Sequence, residues 1–303
     1  MRLTTDAPRL ILCLLLVALG ACGQGKAETG IEIIGGPGPT PGKFALPRAA
    51  AKDAEGRMFV VDKSGRIQRF SAKGEIEKVW NTPAVEKGRP AGIACDPRGT
   101  VLVADTHYHR ILRYTPEGQL LSEFGSEGDG PGQFMYPTGL AVAPDGTLYV
   151  SEFGGNDRIQ VFSPEGRRLR TWGKYGEGPG EFRRPQGIAL AGDLLYVADA
   201  AGHRIQVFST EGKYLREWGG VRYPYGLSVD ASGSVLVAEY GAHKISKFAP
   251  DGRPLGTAGG AGSGPGELDT PWGVVAMGPK IMVVDSGNHR LQLWPAARLG
   301  GAP

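Results

Sequence analysis

The stretch PQGIALAGDLLYVADAAGHRIQVFSTEGKYLREWG, from Pro185 to Gly219, decides the architecture, because versions of it return six times along the 303-residue chain. Its anchoring prolines are Pro47, Pro90, Pro137, Pro185, Pro224 and Pro271, so the spacings by subtraction are 43, 47, 48, 39 and 47 residues. A period of roughly 40–50 residues belongs to propellers or solenoids. Inside each block a Pro-x-Gly-aliphatic start is followed by alternating runs such as LYVAD (195–199) and RIQVFS (204–209), then a short run such as YLREW (214–218). Runs of period two bounded by Gly, Pro and Asp are strands. The turn signals PDG (144–146 and 250–252), PEG (116–118 and 164–166) and TEG (210–212) recur at one place in the block. There glycine supplies positive φ, and proline or aspartate sets the turn. Each block is therefore predicted to be a four-stranded antiparallel sheet. The blocks are numbered here as blades 1 to 6.

Strand counting predicts how the ring closes. Block 6 stops after its third strand, HRLQLW (289–294), whereas IEIIGGPGPTPGKF (31–44) copies the end of a block, as LRTWGKYGEGPGEF (169–182) does. Ile31 to Ile34 is thus expected to be the outer strand of blade 6, which removes the free edge that an open array would leave. The fold expected is all-β, a six-bladed propeller of four-stranded blades, over 31–295, with 296–303 as a disordered tail.

The residues that repeat are Pro-x-Gly-aliphatic, then Val-Ala/Val-Asp, then His-Arg-Ile/Leu, as in VADTHYHRILRY (103–114), VADAAGHRIQVF (197–208) and VVDSGNHRLQLW (283–294). This pattern resembles the NHL-repeat family of six-bladed β-propellers over essentially all of 31–295.

Ahead of the propeller, LILCLLLVALGA is too short to span a bilayer and has the proportions of a signal-peptide core. LGAC at 19–22 looks like a bacterial lipobox. That resemblance implies a signal peptide over 1–21, lipidation of Cys22, a tether over 22–30, and export to the outer membrane or periplasm of a Gram-negative cell. An ordinary secretory signal cut near Ala21, or an uncleaved anchor, would read similarly. With Cys13 in the signal core and Cys22 lipidated, Cys95 is the one thiol left. It takes the place of Val142, Leu190, Val229 and Ala276 in other blades, which marks a small core residue rather than a nucleophile.

Charge narrows the partners. The chain has 34 basic and 31 acidic residues; without Arg2, Arg9 and Asp6 of the leader the remainder has 32 and 30. A near-neutral surface lacks the basic footprint of nucleic-acid binding, so no nucleic-acid partner is expected.

Four histidines, His109, His203, His243 and His289, invite assembly into a metal site, yet each holds the same motif position in a different blade. They are expected to lie apart around the ring, each securing its own loop, with Asp157 replacing the histidine in blade 3 as tolerated drift. Repeated acids (Asp62, Asp105, Glu152, Asp199, Glu239, Asp285) and bases (Arg66, Arg110, Arg158, Arg204, Lys244, Arg290) are spaced to pair across one tight connection and satisfy loop backbone. His107, outside the repeat, has no evident partner and reads as solvated.

The residue after each anchoring proline is expected at the mouth of the central channel: Arg48, Ala91, Thr138, Gln186, Tyr225 and Trp272. The peptidylglycine-amidating lyases, which resemble this chain in their repeats, bind zinc through histidines at that place. None of these six residues is His, Asp, Glu or Cys, whereas zinc needs at least three such ligands. No catalytic residue, metal or cofactor is therefore expected; the alternative is a metal-dependent propeller enzyme of the amidating-lyase or gluconolactonase kind.

What remains is a binding surface. Inter-blade linkers and Asp-to-Arg loops open on one face, and the linkers NTPAVEKGR (81–89), GSEGDGPGQF (125–134), GKYGEGPGEF (173–182), GGVRY (219–223) and GGAGSGPGEL (259–268) vary. Aromatics gather there: Tyr108, Tyr136, Phe153, Tyr175, Tyr223, Tyr225, Tyr240 and Trp272. Tyrosine and tryptophan offer rigid contact area with a polar handle. Arg48, Thr138, Gln186, Tyr225, Trp272, Phe153 and Tyr240 are the expected contacts, Tyr225 and Trp272 foremost because the sheet core does not need them. The expectation is an exported, lipid-anchored propeller that binds a protein or peptide of the cell envelope.

Overall fold

The computed structural model describes residues 30–300. Signal, lipobox and Cys22 lie outside the described residues. Six four-stranded sheets are present, in five of which each strand is hydrogen-bonded to the next in sequence, with all pairings antiparallel. Blade 4 shows the plan: Pro185–Ala191 lines the channel, followed outward by Leu194–Asp199, Arg204–Ser209 and Tyr214–Trp218.

Burial follows from stacking the blades. The second strand is buried on both faces, as in Met58–Asp62 and Val101–Asp105, while the outer strand alternates, as in Tyr214–Trp218. Apolar clusters consequently lie between neighbouring blades: Ile159, Val161 and Phe182 meet Leu195, Val197 and Phe208. Truncating one such side chain to alanine would cost about 2–5 kcal/mol.

Along the channel the inner strands approach so closely that the Pro-x-Gly glycine is required. A Cβ on Gly187 would stand 2.3 Å from the Tyr225 carbonyl oxygen, and one on Gly139 the same distance from that of Gln186. This explains why the motif fixes glycine there while leaving the preceding residue free.

Glu32–Gly35 pairs antiparallel with Arg290–Pro295, with Ile33 opposite Gln292 and Ile34 opposite Leu291. The N-terminal strand completes blade 6 as expected. The tail reading needs correction: Ala296–Leu299 forms a 3-10 turn. Leu299 is buried in the cluster with Leu236, Ile245 and Trp294, which the Ala- and Gly-rich composition around it concealed.

The linkers are also more uniform than their sequences suggest. Four of them share one conformation, closed by parallel bridges Pro37–Phe44, Glu127–Phe134, Tyr175–Phe182 and Ala261–Leu268. Each ends on a fully buried Phe or Leu. Arg-x-Gln of the blade that follows holds each loop. In blade 4, Arg204 donates to the carbonyls of Glu177, Gly178 and Glu181, while Gln206 accepts from Gly180 N–H at 2.9 Å and donates to Glu181 O at 2.7 Å. Gln68, Gln160 and Gln292 do the same in blades 1, 3 and 6. Blades 2 and 5, which carry Leu112 and Ser246 at that place, are the two whose linkers lack the GPG sequence.

Candidate functional site

An acid–base pair forms in each of the six blades, from Glu152–Arg158 at 2.5 Å to Glu239–Lys244 at 3.4 Å. All six carboxylates are fully buried. In five of them an oxygen also accepts a linker N–H: those of Ala45, Met135, Arg183, Arg222 and Asp269. Asp105 is the exception, since its Oδ1 has no hydrogen-bond partner among the described residues. These acids are scaffold, as their repetition implied.

The histidines act one blade further than expected. His203 accepts the N–H of Tyr223 at 3.2 Å, His243 that of Thr270 at 3.2 Å, and His289 that of Leu46 at 3.1 Å, so each ties its loop to the start of the next blade. Every one of these histidines is left-handed, with φ of 52–56°. Asp157 performs the same task toward Arg184 N–H at 2.7 Å and is no drift. His109 bonds the Met135 carbonyl instead. Blade 1 has no such histidine, and there His107 of blade 2 accepts Arg89 N–H at 3.1 Å and packs its ring 5.7 Å from that of Tyr136. The solvated reading of His107 is thus corrected; chain order had hidden a partner 18 residues upstream.

Arg48, Ala91, Thr138, Gln186, Tyr225 and Trp272 line one central cavity of about 90 Å³. Its floor is polar: Thr138 Oγ1 lies 3.2 Å from Ser151 Oγ, which donates to the Gln186 carbonyl at 2.5 Å. Thr138 is therefore spent on the scaffold rather than offered to a partner. Gln186 is buried too, yet its Nε2 has no hydrogen-bond partner among the described residues.

The upper wall is an aromatic box. Tyr225 stacks on Tyr240 with ring centroids 4.6 Å apart and meets Trp272 edge-on at 5.2 Å, while the Arg48 guanidinium lies 4.9 Å over the Trp272 ring. Burial, and then the nearby Arg89, hold the Arg48 pKa below its ordinary value. Burial likewise pushes the Tyr225 phenol up. Trp272 also packs against the cluster of Phe44, Val284 and Leu291, so it supports the seam between blades 6 and 1 as well as facing the mouth. Phe153 lies outside this cavity. It stacks on Tyr136 at 5.3 Å and carries the Arg184 guanidinium over its ring at 4.8 Å.

The lining does not fit the zinc of amidating lyases, because the six mouth residues supply no imidazole, thiolate or carboxylate donor. Among the described residues no three His, Cys, Asp or Glu side chains converge as a metal site. The unpaired Gln186 amide is a signal that sequence could not give: glutamine at a mouth position says nothing of whether its nitrogen is paired.

A closed six-bladed propeller with an aromatic, guanidinium-lined mouth is the class that fold and site define. The family model described as the NHL repeat matches residues 134–162 and 182–208, in blades 3 and 4. Mouse NHL-repeat-containing protein 4 is 29% identical over 103 residues, 34% of this chain and 71% of that protein. The chain is a six-bladed β-propeller that carries NHL repeats in blades 3 and 4. Mouse peptidyl-glycine alpha-amidating monooxygenase is 38% identical over 116 residues, 33% of this chain and 12% of that protein. The first curated relatives are matched over a fifth of their length or less. Virginiamycin B lyase from Staphylococcus aureus has the same fold, with a TM-score of 0.62 at 21% identity, over 86% of this chain and 83% of that one.

Proposed function

We propose that this propeller is an exported, lipid-anchored binding module that engages a protein or peptide of the cell envelope at its channel mouth. The observation that carries this reading is the box of Tyr225, Tyr240 and Trp272 beside Arg48, the residue types that dominate protein contact energies, on the face where the linkers open. NHL propellers commonly bind proteins, which supports it. The cavity is well below the several hundred Å³ usual for small-molecule sites, so a partner would seat one or two groups in it and spread over the rim. Export and anchoring rest on the apolar leader and the LGAC sequence at 19–22.

The test is recovery of envelope partners by crosslinking, comparing the native protein with Tyr225→Ala and with the Tyr225→Ala/Trp272→Ala pair. Loss of the same crosslinked species from both variants, with their circular dichroism preserved, is expected. Undiminished recovery by the double variant would reject the site. Loss of lipid label in Cys22→Ser tests the anchor separately.

A further inference from the structure

Among the described residues no carboxylate forms an ion pair with Arg48, Arg89 or Arg184 near the mouth. Each inner carboxylate is committed to the arginine or lysine of its own blade. Besides its place over the Trp272 ring, Arg48 has among the described residues only long hydrogen bonds, at 3.5 and 3.4 Å, to the carbonyls of Arg89 and Pro90. Arg89 bonds carbonyls of its own linker, and Arg184 lies on Phe153. Burying a guanidinium beside a second one is unfavourable unless an anion joins them. Lining the same cavity from the inner strand of blade 4 is Gln186, 7% exposed, with a donor nitrogen that has no partner among the described residues.

Resting on the reading of the mouth as a binding surface, we propose that Arg48 and Gln186 form a carboxylate-binding site for a partner segment that packs an apolar or aromatic side chain against Tyr225 and Trp272. Arginine is the side chain whose planar fork matches a carboxylate, and an amide N–H completes the acceptor set. A carboxylate suits the mouth better than a phosphate. With one fork, one amide and a wall of rings, it could not satisfy the four strongly hydrated oxygens of a phosphate. The carboxylate could be a chain terminus or an acidic side chain, since both present the same two oxygens.

Calorimetric titration of the purified protein decides this without the natural partner. The probes are N-acetylphenylalanine for a terminal carboxylate, N-acetyl-phenylalanyl-aspartyl amide for a side-chain one, N-acetylphenylalaninamide as the neutral control, and inorganic phosphate. At least one acid is expected to bind saturably, with the neutral amide weaker by about tenfold or more. Whichever acid binds more tightly identifies the source. Arg48→Gln should weaken the acid about tenfold and Gln186→Leu several-fold, with Arg48→Lys between native and Arg48→Gln, all without changing the neutral amide. Equal binding of acid and amide, absence of binding by both acids, indifference to Arg48→Gln, or phosphate that binds as tightly would each overturn the proposal. Partner crosslinking that survives Arg48→Gln but fails in the Tyr225 and Trp272 variants would remove the carboxylate site and leave the binding-module reading in place.

Discussion

His289 Nδ1 accepts the backbone N–H of Leu46 at 3.1 Å, a bond between residues 243 apart in sequence that ties the last blade to the first. Leu46 directly precedes the anchoring proline of blade 1 and is left-handed, with φ of 53°, so its N–H is turned away from the strand ladder. His289→Ala strands that donor and should cost about 1–2 kcal/mol. His289→Asp installs the side chain that blade 3 uses at Asp157 and should recover at least half of the loss. Urea denaturation of the two variants checks this; equal losses would show that ring packing, not the hydrogen bond, is what the histidine supplies.

The ring itself was legible because its cause is local. Period-two strands, turn residues and a recurring proline each repeat six times, and the missing twenty-fourth strand had to come from Ile31–Ile34. The connections between blades were not legible in the same way. Sequence showed His203 and Asp157 at equivalent positions but not that each reaches forward to the residue before the next proline, because that contact depends on the angle between blades. The six mouth residues could be placed by register alone, yet the commitment of Thr138 to Ser151 and the unpaired nitrogen of Gln186 depend on neighbours from other strands. Leu299 was missed because a single apolar residue in a short tail carries no periodicity.

The Arg-x-Gln clamp yields a reciprocal pair of substitutions. Gln206→Leu removes the bonds to Gly180 N–H and Glu181 O and leaves both groups unpaired beneath the loop. A loss of about 2–4 kcal/mol is expected, with faster amide exchange at Gly180. Leu112→Gln places the same amide in blade 2, where the preceding linker has no GPG loop to receive it. It should destabilise by a similar amount rather than improve on the native blade. Stabilisation by Leu112→Gln would contradict the pairing of clamp with loop.

Cys95 lies on the inner strand of blade 2, packed beside Ile93 and Val101. Burial pushes its thiol well above the ordinary cysteine range. Because the thiolate is the reactive form, iodoacetamide at pH 8 should modify the native protein at least tenfold more slowly than the urea-unfolded chain. Cys95→Val should keep native stability to within about 1 kcal/mol, since it conserves shape and apolar character. Rapid labelling of the folded protein would restore Cys95 as a reactive site.

Asp105 of blade 2 and Asp199 of blade 4 occupy one motif position and should nevertheless respond differently to the loss of charge. Asp199 accepts from Arg183 N–H at 2.6 Å, Arg204 Nε at 2.8 Å and Gln206 Nε2 at 3.2 Å, so Asp199→Asn breaks a satisfied buried pair at a cost of about 3–5 kcal/mol. Asp105 accepts from Arg110 Nε at 2.9 Å on one oxygen and has no partner on the other, while Arg110 holds a second bond to Glu123. Asp105→Asn should therefore cost about 1 kcal/mol or less. Burial holds the Asp105 carboxyl above the ordinary aspartate range, as it does that of Asp199, so the folded chain keeps this proton to higher pH than the unfolded chain does. Its contribution to stability is fully present below the unfolded value, about pH 4, and is lost as pH rises through the folded one. The native protein should accordingly lose ground to Asp105→Asn on going from pH 4 to pH 7. Denaturation midpoints of the two proteins across that interval measure the slope; a gap that stays constant would show that Asp105 is ionised throughout.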